Sequence, residues 1–339
     1  MALQKAAGSR PRRGHGARLC VVLGSLGVVV ALLAGCGGSS GPTTVTPTVT
    51  PTVTPAPSAG NLPITAAEPC GRDTTPPGRY EHVLILMEEN RTWTGGRTPA
   101  VGQGFSAETM PFLHRLAATC GYYPEWNETT ASQSSLSQYV GITSGVANPA
   151  TVDGCDPSAT CRSTDNNIFR QVRSAGGTPR TYVDGATETC SAEGNVPRHI
   201  PALYYYGEGD HQYCREEVLP LNALDPDHLP TFAFVVPDLC HDGHDCDNRT
   251  VDRWAQSILT PILDGATYRQ GSTLVVVLYD EDAPVPNILI APTSRSGAIT
   301  SVTGSHASLL KTIELALGLD VLTQGQLPAA IDLRPSAHL

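Results

Sequence analysis

Three stretches of this 339-residue chain place hard oxygen donors directly behind a short apolar run. Val83 to Met87 leads into Glu88-Glu89-Asn90, and Leu274 to Tyr279 leads into Asp280-Glu281-Asp282. Phe232 to Val236 leads into a segment carrying Asp238, His241, Asp242, His244 and Asp245. Carboxylates, a carboxamide and imidazoles gathered from several segments are what a divalent cation requires. A cation beside a serine would in turn activate a hydroxyl that is otherwise a poor nucleophile. One acidic strand end is ordinarily a hydrated surface, so residue type alone leaves that reading open. Convergence of the three, with His306, would make a site.

Such convergence needs a frame. Val83–Met87, Phe232–Val236, Leu274–Tyr279 and Ile288–Ala291 are continuous apolar runs of strand length, which reads as strands covered on both faces. Helical periodicity falls between them, over Met110–Thr119, Asn167–Ser174, Val251–Leu263 and Ala307–Leu317. Strands alternating with helices predict an α/β domain with a mainly parallel central sheet and helices on both faces. In that architecture functional groups collect at the carboxyl ends of strands, where the acidic segments fall. The domain is expected over residues 67–322, with a tail over 323–339.

In chain order, the segments around these acids carry a resemblance. Val-Leu-Ile-Leu-Met-Glu-Glu-Asn-Arg-Thr (83–92) resembles the first strand and turn of the bacterial phosphoesterase family, which joins phospholipases C with secreted acid phosphatases on an alkaline-phosphatase-like fold. Gln133-Ser134-Ser135-Leu136-Ser137-Gln138-Tyr139 resembles its His-Pro-Ser-x-Pro-Asn-Tyr nucleophile segment, and Arg198-His199-Ile200-Pro201 its basic-His-x-Pro. Leu229-Pro230-Thr231-Phe232 through Asp242-Gly243-His244-Asp245 resembles its Leu-Pro … Asp-x-His-Asp block. Tyr279-Asp280-Glu281-Asp282 matches its Asp-Glu turn, and Ser305-His306 with the following helix its closing His helix.

The resemblance implies Ser135 as the nucleophile, at the start of a helix whose N–H groups favour phosphate. It implies Glu89, Asn90, Asp280, Glu281 and Asp242 as ligands of a divalent metal ion. His199, His244 and His306 would grip phosphoryl oxygens, protonate the leaving alcohol or hold a second metal. Gln138 stands where the family has an asparagine that contacts the phosphoryl group, Gln133 replaces its histidine and Ser137 its proline. The expected function is phosphate monoester hydrolysis through a phosphoserine, on a small substrate such as a phosphoinositide, nucleotide or sugar phosphate. A phospholipase C type of diesterase and a catalytically impaired binding module are the alternatives. From the residues alone, Ser135 could equally be a helix cap.

Charge and cysteines bear on where the chain works. There are 22 Lys+Arg against 32 Asp+Glu, a balance that argues against a nucleic-acid partner. Residues 1–35 hold five cations and no acid, then an uncharged stretch ending Leu33-Ala34-Gly35-Cys36, which reads as a signal peptide closing on a lipoprotein box. Lipid on Cys36 would anchor the exported protein to the outer face of the cell membrane. The Thr- and Pro-rich repeat that follows cannot build a core and reads as an extended spacer within 36–66. Eight cysteines remain beyond Cys36, and outside the cytoplasm such a set predicts four disulfides. Cys155–Cys161 and Cys240–Cys246 are the expected local bridges, and the remaining connectivity is left open by the sequence.

Overall fold

The computed structural model describes residues 62–93, 105–129, 134–147 and 155–339. Cys36, the signal segment, nearly all of the spacer and Gln133 lie outside the described residues. The strands are β1 (His82–Glu88), β2 (Gly121–Tyr122), β3 (Trp126–Asn127), β4 (Pro179–Val183), β5 (Val218–Pro220), β6 (Phe232–Val236), β7 (Thr273–Tyr279), β8 (Asn287–Ile290), β9 (Gly297–Ala298) and β10 (Gly304–Ser305). The helices are α1 (Pro111–Thr119), α2 (Ser135–Ser144), α3 (Ile168–Ser174), α4 (Cys214–Glu217), α5 (Asn248–Asp264), α6 (Ala266–Arg269), α7 (His306–Ala316) and α8 (Arg334–Ala337).

Eight strands form one sheet in the order β5-β4-β6-β1-β7-β8-β2-β9, and β3 pairs with β10 apart from it. The block from β5 to β7 is parallel throughout, while β8 runs antiparallel to both of its neighbours. The mainly parallel α/β fold expected from the sequence is therefore present. Side chains alternate between faces along a strand, yet all seven residues of β7 and all five of β6 are buried, so both faces are covered. On one face Tyr139 of α2 and Phe169 of α3 pack edge-on against Phe234 of β6. On the other, Tyr279 of β7 meets Phe105 and the sulfur of Met110 ahead of α1.

Four disulfides close the domain: Cys70–Cys120, Cys155–Cys161, Cys190–Cys214 and Cys240–Cys246. Both local bridges expected from spacing are among them. The segment expected as a tail is instead packed. Leu327 and Leu333 are fully buried, and Leu327 sits on Gly145, where a Cβ would come within 2.6 Å of its Cγ. Gly145 also caps α2 in the left-handed region at φ 76°, so the position suits glycine twice over. Apolar residues spaced through polar sequence hid this segment from a reading based on periodicity. No helix among the described residues is long and apolar enough to cross a membrane.

Candidate active site

The site forms where β1 and β7 end level with one another. Their register pairs Glu88 with Tyr279, and the next amide, Asp280 N, donates to Glu88 O at 3.1 Å. The side chains that follow each strand are thereby set side by side. Asn90 turns the chain with φ 53°, a conformation asparagine tolerates better than most residues, and its N–H donates to Asp280 Oδ1 at 3.2 Å. Its carboxamide donates to Glu89 Oε2. Ser135 comes from the other direction, as the first residue of α2 with Ser134 as N-cap, and its hydroxyl donates to the same Glu89 oxygen at 3.4 Å. Ser135 is thus not the helix cap.

His199 ends a short 3-10 turn, fully buried, with its ring stacked on Tyr139 at 5.0 Å. Nε2 lies 2.9 Å from Glu89 Oε1 and Nδ1 3.2 Å from Asp242 Oδ2. Burial alone would drive this imidazole toward neutrality, but the two carboxylates more than offset it and raise it to about 9. Burial likewise pushes Glu89 up, and the His199 charge reverses that to hold Glu89 below the usual carboxylate range. Asp242 spends its other oxygen on the His244 amide at 2.7 Å, and its carbonyl accepts from Glu89 N at 2.8 Å. Its carboxylate therefore serves His199 and the loop.

His306 is committed differently. The Trp126 indole N–H donates to Nδ1 at 3.1 Å, so the ring proton sits on Nε2, which donates to the Asp280 carbonyl at 2.7 Å. Both nitrogens are used, and burial lowers the ring to about 4. His306 steadies the Asp280 turn. His244 is 39% exposed, with Nδ1 on Asp245 Oδ1 at 2.7 Å. Gln138 turns its amide away from Ser135: Oε1 accepts from Thr129 N at 2.8 Å and Nε2 donates toward Glu128 Oε2 at 3.5 Å. The extra methylene relative to asparagine allows that reach. Asp184, Asp238 and His241 also converge within 4.8 Å, but His241 Nδ1 lies 2.6 Å from Asp184 and 3.2 Å from Asp238, so the three satisfy one another.

The donor set fits a divalent cation. Glu89 and Asp280 are fully buried and Glu281 nearly so. Burial, then the charges of Glu89 and Glu281, raise Asp280 well above the usual range, and its Oδ2 has no hydrogen-bond partner among the described residues. Buried carboxylates held this close require a shared proton or a cation. Two carboxylates, the Asn90 carboxamide and the Ser135 hydroxyl are all hard oxygen ligands. A cavity of about 820 Å³ beside Arg72, Arg295 and His338 includes none of these residues.

Arg91, directly after the Glu89–Asn90 turn, belongs to the site as well. Its guanidinium is fully buried beneath this site, bonded to the carbonyls of Glu89, Asn90, Gly243 and Cys246. A lone arginine after an acidic strand end was the available sign.

Comparison with known proteins identifies the family of the chain. The chain is 26% identical over 253 residues to a phosphatidylinositol-3-phosphatase of Mycobacterium tuberculosis, covering 71% of this chain and 78% of that one. It is 22% identical over 140 residues to an acid phosphatase of Aspergillus fumigatus, covering 38% and 31%. A crystal structure of a protein in the alkaline phosphatase superfamily from Vibrio parahaemolyticus overlaps 78% of this chain and 74% of its own at a TM-score of 0.48 and 12% identity. The profile of the phosphoesterase family matches residues 93–284, more than half of the sequence. The chain belongs to the phosphoesterase family and is a phosphoric ester hydrolase.

Proposed function

We propose that this chain is an exported, metal-dependent phosphomonoesterase that works through a phosphoserine on Ser135. The observation that carries the reading is the Ser135 hydroxyl, on the first turn of α2 and directed at Glu89 beside Asp280. A bound divalent cation, held by Glu89, Asn90 and Asp280 with Glu281 beside them, would neutralise phosphoryl charge and favour the serine alkoxide. Ser135 Oγ attacks phosphorus as the bond to the leaving alcohol breaks, and water then cleaves the phosphoserine to release phosphate. The N–H groups opening α2 receive phosphoryl oxygens. His199, charged and held at both nitrogens, keeps Glu89 turned toward Ser135. We assign protonation of the leaving alcohol to His244, the one of the three histidines open to solvent.

The M. tuberculosis relative supports a small phosphate monoester as substrate, with phosphoinositides, nucleotides and sugar phosphates as the classes to screen. Hydrolysis of p-nitrophenyl phosphate against p-nitrophenyl phosphorylcholine, with and without chelator, tests the reading. Chelator-sensitive turnover of the monoester alone is expected. Diester turnover would make it a phospholipase C type of enzyme, and silence on both would make it a binding module. The same proposal places lipid on Cys36, so Cys36→Ser is expected to release the protein or leave it unprocessed. A mature, membrane-bound Cys36→Ser protein would remove the anchor from the proposal.

A further inference from the structure

Arg91 makes five contacts, one for each N–H of its guanidinium. Nε donates to Asn248 Oδ1 at 2.7 Å, Nη1 to Asn90 O at 3.0 Å and Glu89 O at 3.4 Å, and Nη2 to Gly243 O at 2.9 Å and Cys246 O at 3.3 Å. The acceptors come from three places: the turn that carries Glu89 and Asn90, the loop closed by Cys240–Cys246, and the start of α5. Gly243 stands at φ 96°, and a Cβ there would lie 2.9 Å from Nη2 and 3.2 Å from Val251 Cγ2. The loop is thus shaped to admit the guanidinium. Beside Gly243, Asp242 reaches His199 with its carboxylate and the Glu89 amide with its carbonyl.

We infer that Arg91 is a positioning residue for the active site: it bolts the Glu89–Asn90 turn to the Asp242 loop and so fixes the oxygen ligands before any cation arrives. Arg91 itself reaches neither Ser135 nor the carboxylates of the ligand set through any of these five bonds, so it acts through their backbone. A lysine, with three donors on a flexible stem, cannot satisfy five acceptors from three segments. The inference rests on the proposed metal-dependent reading, and its effect is felt first in the affinity of the site for metal. Residues that orient metal ligands from behind typically change metal affinity or activity about 10–100-fold when replaced.

The test compares the full-chain wild type with Arg91→Lys and Gly243→Ala, both stripped of metal. Mn²⁺ binding is measured by titration calorimetry, and p-nitrophenyl phosphate turnover at saturating Mn²⁺ is measured in parallel. Both variants are expected to bind Mn²⁺ about 10–100-fold more weakly, with kcat reduced and KM within about twofold of wild type. If Arg91→Lys does not fold, Gly243→Ala decides alone, because it crowds the guanidinium while keeping the arginine. Wild-type Mn²⁺ affinity and kcat in a folded variant overturn the inference. A wild type that binds Mn²⁺ but turns over no phosphate overturns the proposed function instead, and the variants' Mn²⁺ affinities still decide the role of Arg91. A wild type that does not bind Mn²⁺ overturns both.

Discussion

The indole N–H of Trp126 ends on Nδ1 of His306, 180 positions along the chain, at 3.1 Å. That one bond selects the tautomer and sends the remaining ring proton to the Asp280 carbonyl. Replacing Trp126 by phenylalanine leaves Nδ1 buried without a donor, at a cost of about 1–3 kcal/mol in stability. Trp126→Phe is therefore expected to lower Tm clearly while kcat falls less than about tenfold, since His306 supports Asp280 without taking or giving a proton. Thermal unfolding and steady-state kinetics on one preparation check this. A loss of activity by several orders of magnitude with an unchanged Tm would return His306 to the chemistry.

The parts of this site that the sequence makes legible follow from backbone periodicity. β1, β6 and β7 announce themselves as unbroken apolar runs, and the acids behind them must lie at one sheet edge. Glu89, Asn90 and Asp280 accordingly lie together, whereas Ser135, at the start of α2, is legible only through the resemblance to the phosphoesterase family. Other features depend on partners far away in sequence. β4 opens with Pro179 and Arg180 and has too little apolar character to be read as a strand, although it pairs parallel with β6 and all of it but Arg180 is buried. The engagement of His306 depends on Trp126, and that of Gln138 on the backbone of Thr129. Arg91 has meaning only once the Cys240–Cys246 loop has been folded over it.

The disulfide pattern predicts a mass map. Non-reducing digestion of the folded protein is expected to yield Cys70–Cys120 and Cys190–Cys214 as linked peptides and the two seven-residue loops, Cys155 to Cys161 and Cys240 to Cys246, as internal bridges. None of these eight cysteines should be alkylated after denaturation without reductant. Alkylation of Cys240 or Cys246 in active protein would show that the Asp242 loop needs no bridge.

Glu314 sets a pH dependence of stability away from the site. It is fully buried in α7, and its Oε1 accepts from Leu322 N at 3.2 Å. Burial pushes this carboxyl up to about 7, against the opposing pull of that bond, Gln171 and Lys311. The folded chain therefore keeps a proton that the unfolded chain loses near the ordinary glutamate value of about 4.3. The contribution of Glu314 to stability is greatest below that value, falls as pH rises toward 7, and then levels off. Glu314→Gln removes the titration, so its unfolding free energy relative to wild type should improve by about 1–3 kcal/mol between pH 5 and pH 8. Urea denaturation across that range measures the difference, and parallel curves would contradict it.

Ser135 and Asp280 both lie beside Glu89 and are predicted to fail in different ways. In the proposed mechanism Ser135 contributes the attacking oxygen, and its hydroxyl donates to Glu89 Oε2 at 3.4 Å. Ser135→Ala leaves Glu89, Asn90 and Asp280 in place but removes the covalent route, and a loss of at least ~10³ in kcat, about 4 kcal/mol, is expected. Asp280 contributes charge: its Oδ1 holds the Asn90 amide and its Oδ2 is left for a cation. Asp280→Asn removes a buried carboxylate beside Glu89 while keeping an oxygen for Asn90, so metal affinity falls and excess metal should restore part of the activity. A divalent-metal titration thus separates the two variants, Asp280→Asn recovering and Ser135→Ala staying silent. Trapping with labelled substrate at low pH should place phosphate on Ser135 in wild type and nowhere in Ser135→Ala. A Ser135→Ala enzyme with near-normal turnover would mean that the hydroxyl only satisfies Glu89, and that the nucleophile is a water or another side chain.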